Sequence, residues 1–71
     1  MSESTYEIIL YWDDIDGIFV AEVPELRGCS AHGTTRAAAV EAAKAAISLW
    51  IDSAREEGLE IPAPRGKLIF A

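Results

Sequence analysis

A β-hairpin is encoded by residues 6–23, whose sequence is YEIILYWDDIDGIFVAEV. β-Branched and aromatic residues, which favour strands, dominate both halves of this segment. Asp and Gly residues fill its middle, at residues 13–17, and Gly17 can take the positive φ that tight turns require. The segment therefore predicts two antiparallel strands, residues 6–12 and 18–23, joined by a short turn.

The hydrophobic period changes to that of a helix later in the chain. Between Thr35 and Glu57 one apolar stripe recurs at helical spacing, formed by Val40, Ala43, Ile47, Trp50, Ile51 and Ala54. We expect Thr34 or Thr35 to cap the helix N-terminus by accepting a backbone hydrogen bond. Gly58 is expected to end the helix, and the prolines that follow prevent it from resuming.

Two further strands complete the predicted order β-β-β-α-β. Pro24 ends the second strand because it has no N–H to donate. Residues 29–32 form a short third strand, and residues 67–71 a last strand after the helix. We therefore expect a single α+β domain over residues 1–71, an antiparallel sheet with one helix packed on one face. A chain of 71 residues excludes a second domain.

Both faces of the predicted sheet carry apolar side chains. Because side chains alternate along a strand, Ile8 and Leu10 lie on one face, and Ile9 and Tyr11 on the other. A single helix covers only one face, and soluble proteins rarely leave a large apolar patch bare. We expect the chain to associate with itself or with a partner on the uncovered face or edge. The simpler alternative is that loops and the C-terminal segment fold over that face.

The charge balance is strongly acidic. Twelve acidic residues against six basic ones give a net charge of −6 at pH 7, and no Lys or Arg precedes Arg27. Phosphate backbones are bound by Lys and Arg, so this composition argues against direct binding of nucleic acid. A negative field attracts a basic protein, although acids that only keep the protein soluble are the simpler interpretation.

The sequence indicates a cytoplasmic protein that makes no contact with a membrane. Its single cysteine, Cys29, cannot form an internal disulfide. The N-terminus lacks the basic region of a secretory signal. No apolar stretch approaches the ~20 residues that span a bilayer.

Candidate catalytic and metal-binding residues are sparse. Cys29 and His32 are three residues apart, so an extended strand points them to opposite faces, and they supply only two of the four ligands that zinc usually takes. The acids of residues 13–16 resemble the start of a calcium loop, but Pro24 occupies the twelfth position, where the loop needs Glu. We therefore expect no enzyme activity, metal or cofactor. The open alternatives are a vestigial nuclease and a Cys29 thiol catalyst.

Four segments in order resemble the HicB-like antitoxin family. They are the opening strand at residues 6–10, the block DIDGIFVAEVPEL at residues 14–26, GCSAHG at residues 28–33, and the Ala-rich helix reaching Trp50. The Pro-containing segment at residues 61–64 also looks like that of family members. The resemblance covers nearly the whole chain.

The resemblance implies both a fold and a role. It implies a β-β-β-α-β domain, described as partial RNase H-like without the catalytic acids, that binds and blocks a small basic toxin. Such toxins, called HicA-like, have a double-stranded-RNA-binding-type fold and cleave mRNA. Arg27 stands where the family often has Pro, and residues 37–39 are Ala where acids are usual. Residues 58–71 are too short for the DNA-binding module of longer members, so we expect none.

We therefore predict a non-catalytic antitoxin that occludes a basic HicA-like toxin and forms a homo-oligomer, either a dimer or a tetramer. The predicted toxin contacts are acidic residues with one exposed aromatic residue: Trp12, Asp13, Asp14, Asp16, Glu22 and Glu25. The alternative is an orphan homo-oligomeric domain of the same family that binds a small ligand or has a regulatory role.

Overall fold

The computed structural model describes residues 5–64 as a three-stranded antiparallel sheet followed by one helix. The strands are β1 (Ile9–Asp13), β2 (Ile18–Glu22) and β3 (Ser30–Gly33), in the spatial order β1-β2-β3. Helix α1 (Arg36–Glu57) packs on one face of the sheet, mainly over β3. The predicted α+β fold, with one helix on one face, is confirmed. The predicted last strand, residues 67–71, lies outside the described residues.

The β1–β2 turn, residues 13–17, is organised by Asp13. One Oδ1 atom of Asp13 accepts hydrogen bonds from the backbone N–H groups of Ile15 (3.0 Å) and Asp16 (3.2 Å). The Asp13 carbonyl accepts from the N–H of Gly17 at 2.8 Å. Gly17 has φ 67°, a left-handed backbone conformation that residues with a Cβ rarely adopt. The turn forms where the Asp and Gly residues predict it.

Strand β1 begins three residues later than its sequence predicts. Pairing with β2 starts at Ile9, opposite Glu22. Beyond this pair, the N–H of Val23 donates to Cys29 O (3.0 Å) and Pro24 has no N–H, so β2 offers no partner to residues 6–8. The N–H of Glu7 donates instead to Glu25 Oε1 at 3.3 Å. Tyr6 is buried in the core, and its hydroxyl donates to Pro62 O.

The helix begins and ends at the residues its capping chemistry predicts. Thr35 is the N-cap, and its hydroxyl accepts from the N–H of Ala38 at 3.0 Å. Gly58 follows the last helical residue in the left-handed conformation, with φ 70°. With 22 residues the helix is about 33 Å long, enough to cross the whole sheet once.

Small side chains bring the helix close to the sheet. Ala21 on β2 and Ala39 and Ala43 on α1 are fully buried. Gly33 has no side chain, and a Cβ placed there would lie 2.5 Å from Ala39 N and 2.8 Å from the Ala38 carbonyl carbon. The larger core residues Val23, Leu26 and Ile47 fill the space beyond this close contact. The glycine at position 33 is therefore needed for space.

Candidate functional site

The two faces of the sheet have different surroundings. We call the face under α1 the covered face: Leu10, Trp12, Phe19, Ala21, Ala31 and Gly33. The alternation of side chains along each strand places the remaining strand residues on the opposite side. We call that side the open face: Ile9, Tyr11, Asp13, Ile18, Val20, Glu22, Ser30 and His32. Within residues 5–64 no helix packs against the open face.

The centre of the open face is apolar and partly exposed to solvent. The strand register places Tyr11 beside Val20, and Val20 beside His32, in one row across the three strands. Ile9 is 38% exposed and Tyr11 is 43% exposed. Apolar side chains that stay exposed on a sheet face contribute little to the domain's own core. Among the described residues, this row is therefore available for a partner.

Tyr11 is held in place by Glu22. Its hydroxyl donates to Glu22 Oε2 at 2.8 Å, across from β1 to β2. This hydrogen bond, followed by desolvation and the negative charges of Glu22 and Asp13, raises the pKa of the Tyr11 phenol above its usual value. The phenol therefore stays protonated at physiological pH, with the carboxylates of Glu22 and Asp13 as its acidic neighbours.

The strands carry acidic but no basic residues. Asp13 and Glu22 lie on the open face, while none of the three strands contains Lys or Arg. The described basic residues lie in the loop after β2 and on α1: Arg27, Arg36, Lys44 and Arg55. Of these, Arg36 stacks over the Phe19 ring, 4.8 Å from its centroid, on the covered side. The charged side chains of the open face are thus all acidic, whereas α1 carries both acidic and basic residues.

The predicted contact acids are spread over both ends of the sheet. Asp14 and Asp16 are exposed in the β1–β2 turn, and Asp13 is half-buried because it organises that turn. Glu22 lies at the far end of β2, opposite Ile9. Glu25 follows in the next loop and accepts from the Glu7 N–H. The structure therefore groups the three turn acids at one end of the sheet. Glu22 and Glu25 lie apart from them, toward the other end.

The two tryptophans have different environments. Trp12 is 50% exposed, as expected of a contact residue, but it lies on the covered face and packs edge-on against Phe19, with ring centroids 4.9 Å apart. Trp50, interpreted as a core residue, is half-buried against the core, and its indole N–H donates to Arg27 O at 2.9 Å. Trp12 and Tyr11 therefore point to opposite sides of β1.

Cys29 and His32 are separated by the sheet, as their spacing predicts. Cys29 is buried with the core, and burial raises the pKa of its thiol. His32 is exposed on the open face. A thiol kept in its neutral form is a poor nucleophile. Among residues 5–64, no three His, Cys, Asp or Glu side chains are grouped so that they could hold a metal ion.

Sequence reasoning missed a groove beside the free edge of β3. This edge groove has a volume of about 500 Å³ and is lined by Arg27, Gly28, Cys29, Ser30, Ala46, Leu49, Trp50, Ser53, Ala54, Glu57 and Leu59. Leu49 is 69% exposed and Leu59 is 56% exposed. Leu49 falls outside the helix stripe that predicts the core, and this exposed leucine is the one signal in the sequence that points to the groove.

The outer edge of β3 has backbone groups available for pairing. The N–H of Val23 donates to Cys29 O at 3.0 Å, so these residues form a hydrogen-bonded pair. Such pairs alternate along an antiparallel ladder, so the N–H and C=O groups of Ser30 and His32 point away from β2. In the described sheet β3 is an edge strand, and the Ser30 end of this edge borders the edge groove.

The one described helix has no stretch that is long and apolar enough to cross a membrane.

Comparison with known proteins identifies relatives over most of the chain. Residues 6–67 match the family model described as the HicB-like antitoxin of bacterial toxin–antitoxin systems. A UPF0150 protein of Synechocystis sp. is 34% identical over 58 residues, which cover 82% of this chain and 78% of that protein.

A second relative is a UPF0150 protein of Thermoplasma acidophilum. It is 37% identical over 57 residues, covering 80% of this chain and 81% of that protein. No solved structure matches the chain significantly.

Proposed function

The chain belongs to the HicB-like antitoxin family of bacterial toxin–antitoxin systems, and from this premise we propose that it binds and occludes a small basic mRNA-cleaving HicA-like toxin. It acts without catalysis, by covering the surface that the toxin uses to hold RNA. The toxin's substrate is mRNA, so the proposed site of action is the cytoplasm.

The observation that carries this proposal is the acidic open face. A protein that binds RNA presents Lys and Arg to the phosphate backbone. The antitoxin presents carboxylates and no Lys or Arg on its strands, within a molecule of net charge −6. Such complementarity accelerates association and selects the partner. The same charge opposes direct binding of nucleic acid by the chain itself.

Co-expression tests the proposed function. The candidate toxin, a small basic HicA-like protein sought in the neighbouring coding sequence, is expressed alone and together with this chain, and bacterial growth is followed. We expect growth arrest with the basic protein alone, restored growth with the pair, and co-purification of the two chains. Full arrest despite normal expression of this chain would count against an antitoxin role.

The acidic turn gives a second, kinetic test. Reversing the charges of the exposed Asp14 and Asp16 (Asp14→Lys with Asp16→Lys) should slow association with the basic protein by about tenfold at low salt, and should flatten the salt dependence of the rate. Asp13 is kept because it organises the turn. The matched control is Asp52→Lys with Glu56→Lys, which makes the same charge change on exposed positions of α1. Equal slowing by both pairs would mean that only net charge matters.

A homo-oligomer is also proposed, and the edge groove supports it. The Ser30 and His32 backbone groups can pair with β3 of a second copy around a twofold axis, which extends the sheet. The groove is lined by both Arg27 and Glu57, so its lining carries charges of both signs and does not by charge alone repel a second copy. Leu49 and Leu59 supply apolar area. The same surface supports the second candidate function, a homo-oligomeric domain that has no toxin partner.

Sedimentation at micromolar concentration tests the homo-oligomer. The wild-type chain should sediment as a dimer or a larger assembly. Leu49→Lys, which places a charge at an exposed position of the groove, should shift it toward the monomer. A monomeric wild-type chain would contradict this part of the proposal.

A further inference from the structure

We propose that the basic toxin docks on the open face of the sheet, centred on the row Tyr11, Val20 and His32, and not on α1, the edge groove or the exposed Trp12. The inference rests on the proposed function, because it names the surface that this function uses. It also separates the predicted contact residues, since Trp12 lies on the other side of β1.

The area of the open face sets how far such an interface must extend. Three strands about 4.8 Å apart and five residues of about 3.3 Å each span about 10 by 16 Å. A stable protein interface takes about 800 Å² from each partner, so the open face alone is too small. The β1–β2 turn continues it at one end, where Ile15 is 94% exposed between Asp14 and Asp16. The docking surface therefore comprises the open face and this turn.

Charge decides which partner fits this surface. Asp13 and Glu22 lie on the face and Asp14 and Asp16 in the turn, while no Lys or Arg lies on any strand. Two copies placed face to face would bring these acids together in low dielectric, where like charges oppose association. A cationic protein meets the opposite condition. The edge groove, with Arg27 and Glu57 in its lining, is the surface that suits a second copy.

Tyr11 is the expected anchor of the interface. Tyrosine is enriched among the few residues that dominate binding energy, because it buries a large ring at a low cost in conformational entropy. Glu22 already fixes the Tyr11 hydroxyl at 2.8 Å, so less ordering remains to be done on binding. The ring can stack beneath an Arg or Lys of the partner, and the Glu22 carboxylate lies beside it to accept from the same cation.

A charge-matched pair of substitutions tests the surface. Tyr11→Lys and Ala45→Lys each add one positive charge at an exposed position, the first on the open face and the second on α1 outside the lining of the edge groove. Both are titrated calorimetrically against the candidate toxin, after separate refolding. Tyr11→Lys should weaken binding by about 30-fold or more, the loss that defines an interface hot spot. Ala45→Lys should bind within about threefold of wild type.

Each outcome bears on one proposal. If the wild-type chain does not bind the basic protein, the proposed function fails and the docking surface fails with it. If the wild type binds, and Ala45→Lys loses binding while Tyr11→Lys keeps it, the docking surface alone is wrong. If the free chain is a dimer that Tyr11→Lys dissociates, the open face belongs to a second copy, which also overturns the proposal.

A second variant protects the test against misfolding. Tyr11→Ser removes the ring without adding charge, and Tyr11 is exposed enough that thermal unfolding should stay close to wild type. A loss of binding by Tyr11→Ser with an unchanged unfolding midpoint supports the proposal. Wild-type binding by Tyr11→Ser contradicts it.

Discussion

The covered and open faces of one sheet are built from different kinds of residue. Where the helix crosses the covered face, the residues of the face are small: Ala21, Ala31 and Gly33. Gly33 lies directly against Ala39 on α1. The open face has Tyr11 and Val20 at its centre and Ile9 at the end of β1, and these larger residues stay partly exposed. The covered face also has large residues, Leu10, Trp12 and Phe19, so side-chain bulk alone does not identify the core. Small residues on the covered face allow the close approach of the helix, while the partly exposed apolar residues of the open face remain available to a partner.

The largest effect should come from removing core volume on the covered side. Ile47→Ala deletes a side chain that is 1% exposed and should lower the free energy of unfolding by about 3 kcal/mol. Asp52→Ala, at an exposed position of the same helix, should change it by less than about 0.5 kcal/mol. Urea unfolding measures both. Equal losses would mean that the helix does not face the sheet through Ile47.

Adding volume to the covered face should be nearly as damaging. Gly33→Ala places a Cβ 2.5 Å from Ala39 N, so the helix must move, and we expect a loss of about 2 kcal/mol in the free energy of unfolding. Gly17→Ala is the matched control, because nothing lies within 4 Å of its Cβ and only its positive φ opposes the change. That control should cost about 1 kcal/mol. A neutral Gly33→Ala would show that the close contact is not needed.

The reaction rate of the Cys29 thiol should report how well the covered side of the sheet is buried. The pKa of its thiol is raised by burial, so the native protein should react slowly with iodoacetamide at pH 8, and much faster in urea. The unfolded chain loses this proton more readily, so stability should fall as pH rises above about 8.5, the usual thiol pKa. Cys29→Ser removes this ionisation and serves as the control. Rapid native alkylation would contradict the burial.

The smallest stability effect should come from the open face. Glu22→Gln should leave the free energy of unfolding within about 0.5 kcal/mol of wild type, because the residue is exposed. It should still lower the pKa of Tyr11 toward its usual value, because the hydrogen bond to the Glu22 carboxylate is the largest cause of the raised value. An ultraviolet pH titration follows the phenol, with Tyr11→Phe identifying its signal. An unchanged Tyr11 titration would show that the cross-strand bond is absent.

Local chemistry accounts for most of what the sequence predicts correctly. The turn at residues 13–17, the Thr35 cap and the Gly58 helix end each depend on residues a few positions apart, so they can be predicted without the fold. The start of β1 is wrong because its ladder to β2 ends at the Ile9–Glu22 pair, since the next β2 residue to face β1 is Pro24, which has no N–H. The strand-forming pattern of residues 6–8 does not show where the partner strand ends.

The sequence predicts what kind of surface the candidate site is, but it does not predict which of its residues lie together. Alternation along β1 indicates that Ile9 and Tyr11 share a face without a helix, and the charge count indicates an acidic molecule. The predicted second strand, residues 18–23, already places Glu22 a strand length from the turn acids, and the register adds that it lies opposite Ile9. Whether the acids and Trp12 contact a toxin stays a prediction.

A footprint of the complex tests the central claim most directly. Tyr11→Cys and Ala45→Cys each place one exposed thiol on the open face or on α1, with buried Cys29 as a slowly reacting internal reference. N-ethylmaleimide labelling at pH 7 is followed by mass with and without the candidate toxin. The toxin should slow labelling of Tyr11→Cys by about tenfold or more and leave Ala45→Cys unchanged. Protection of Ala45→Cys with free labelling of Tyr11→Cys would contradict the account.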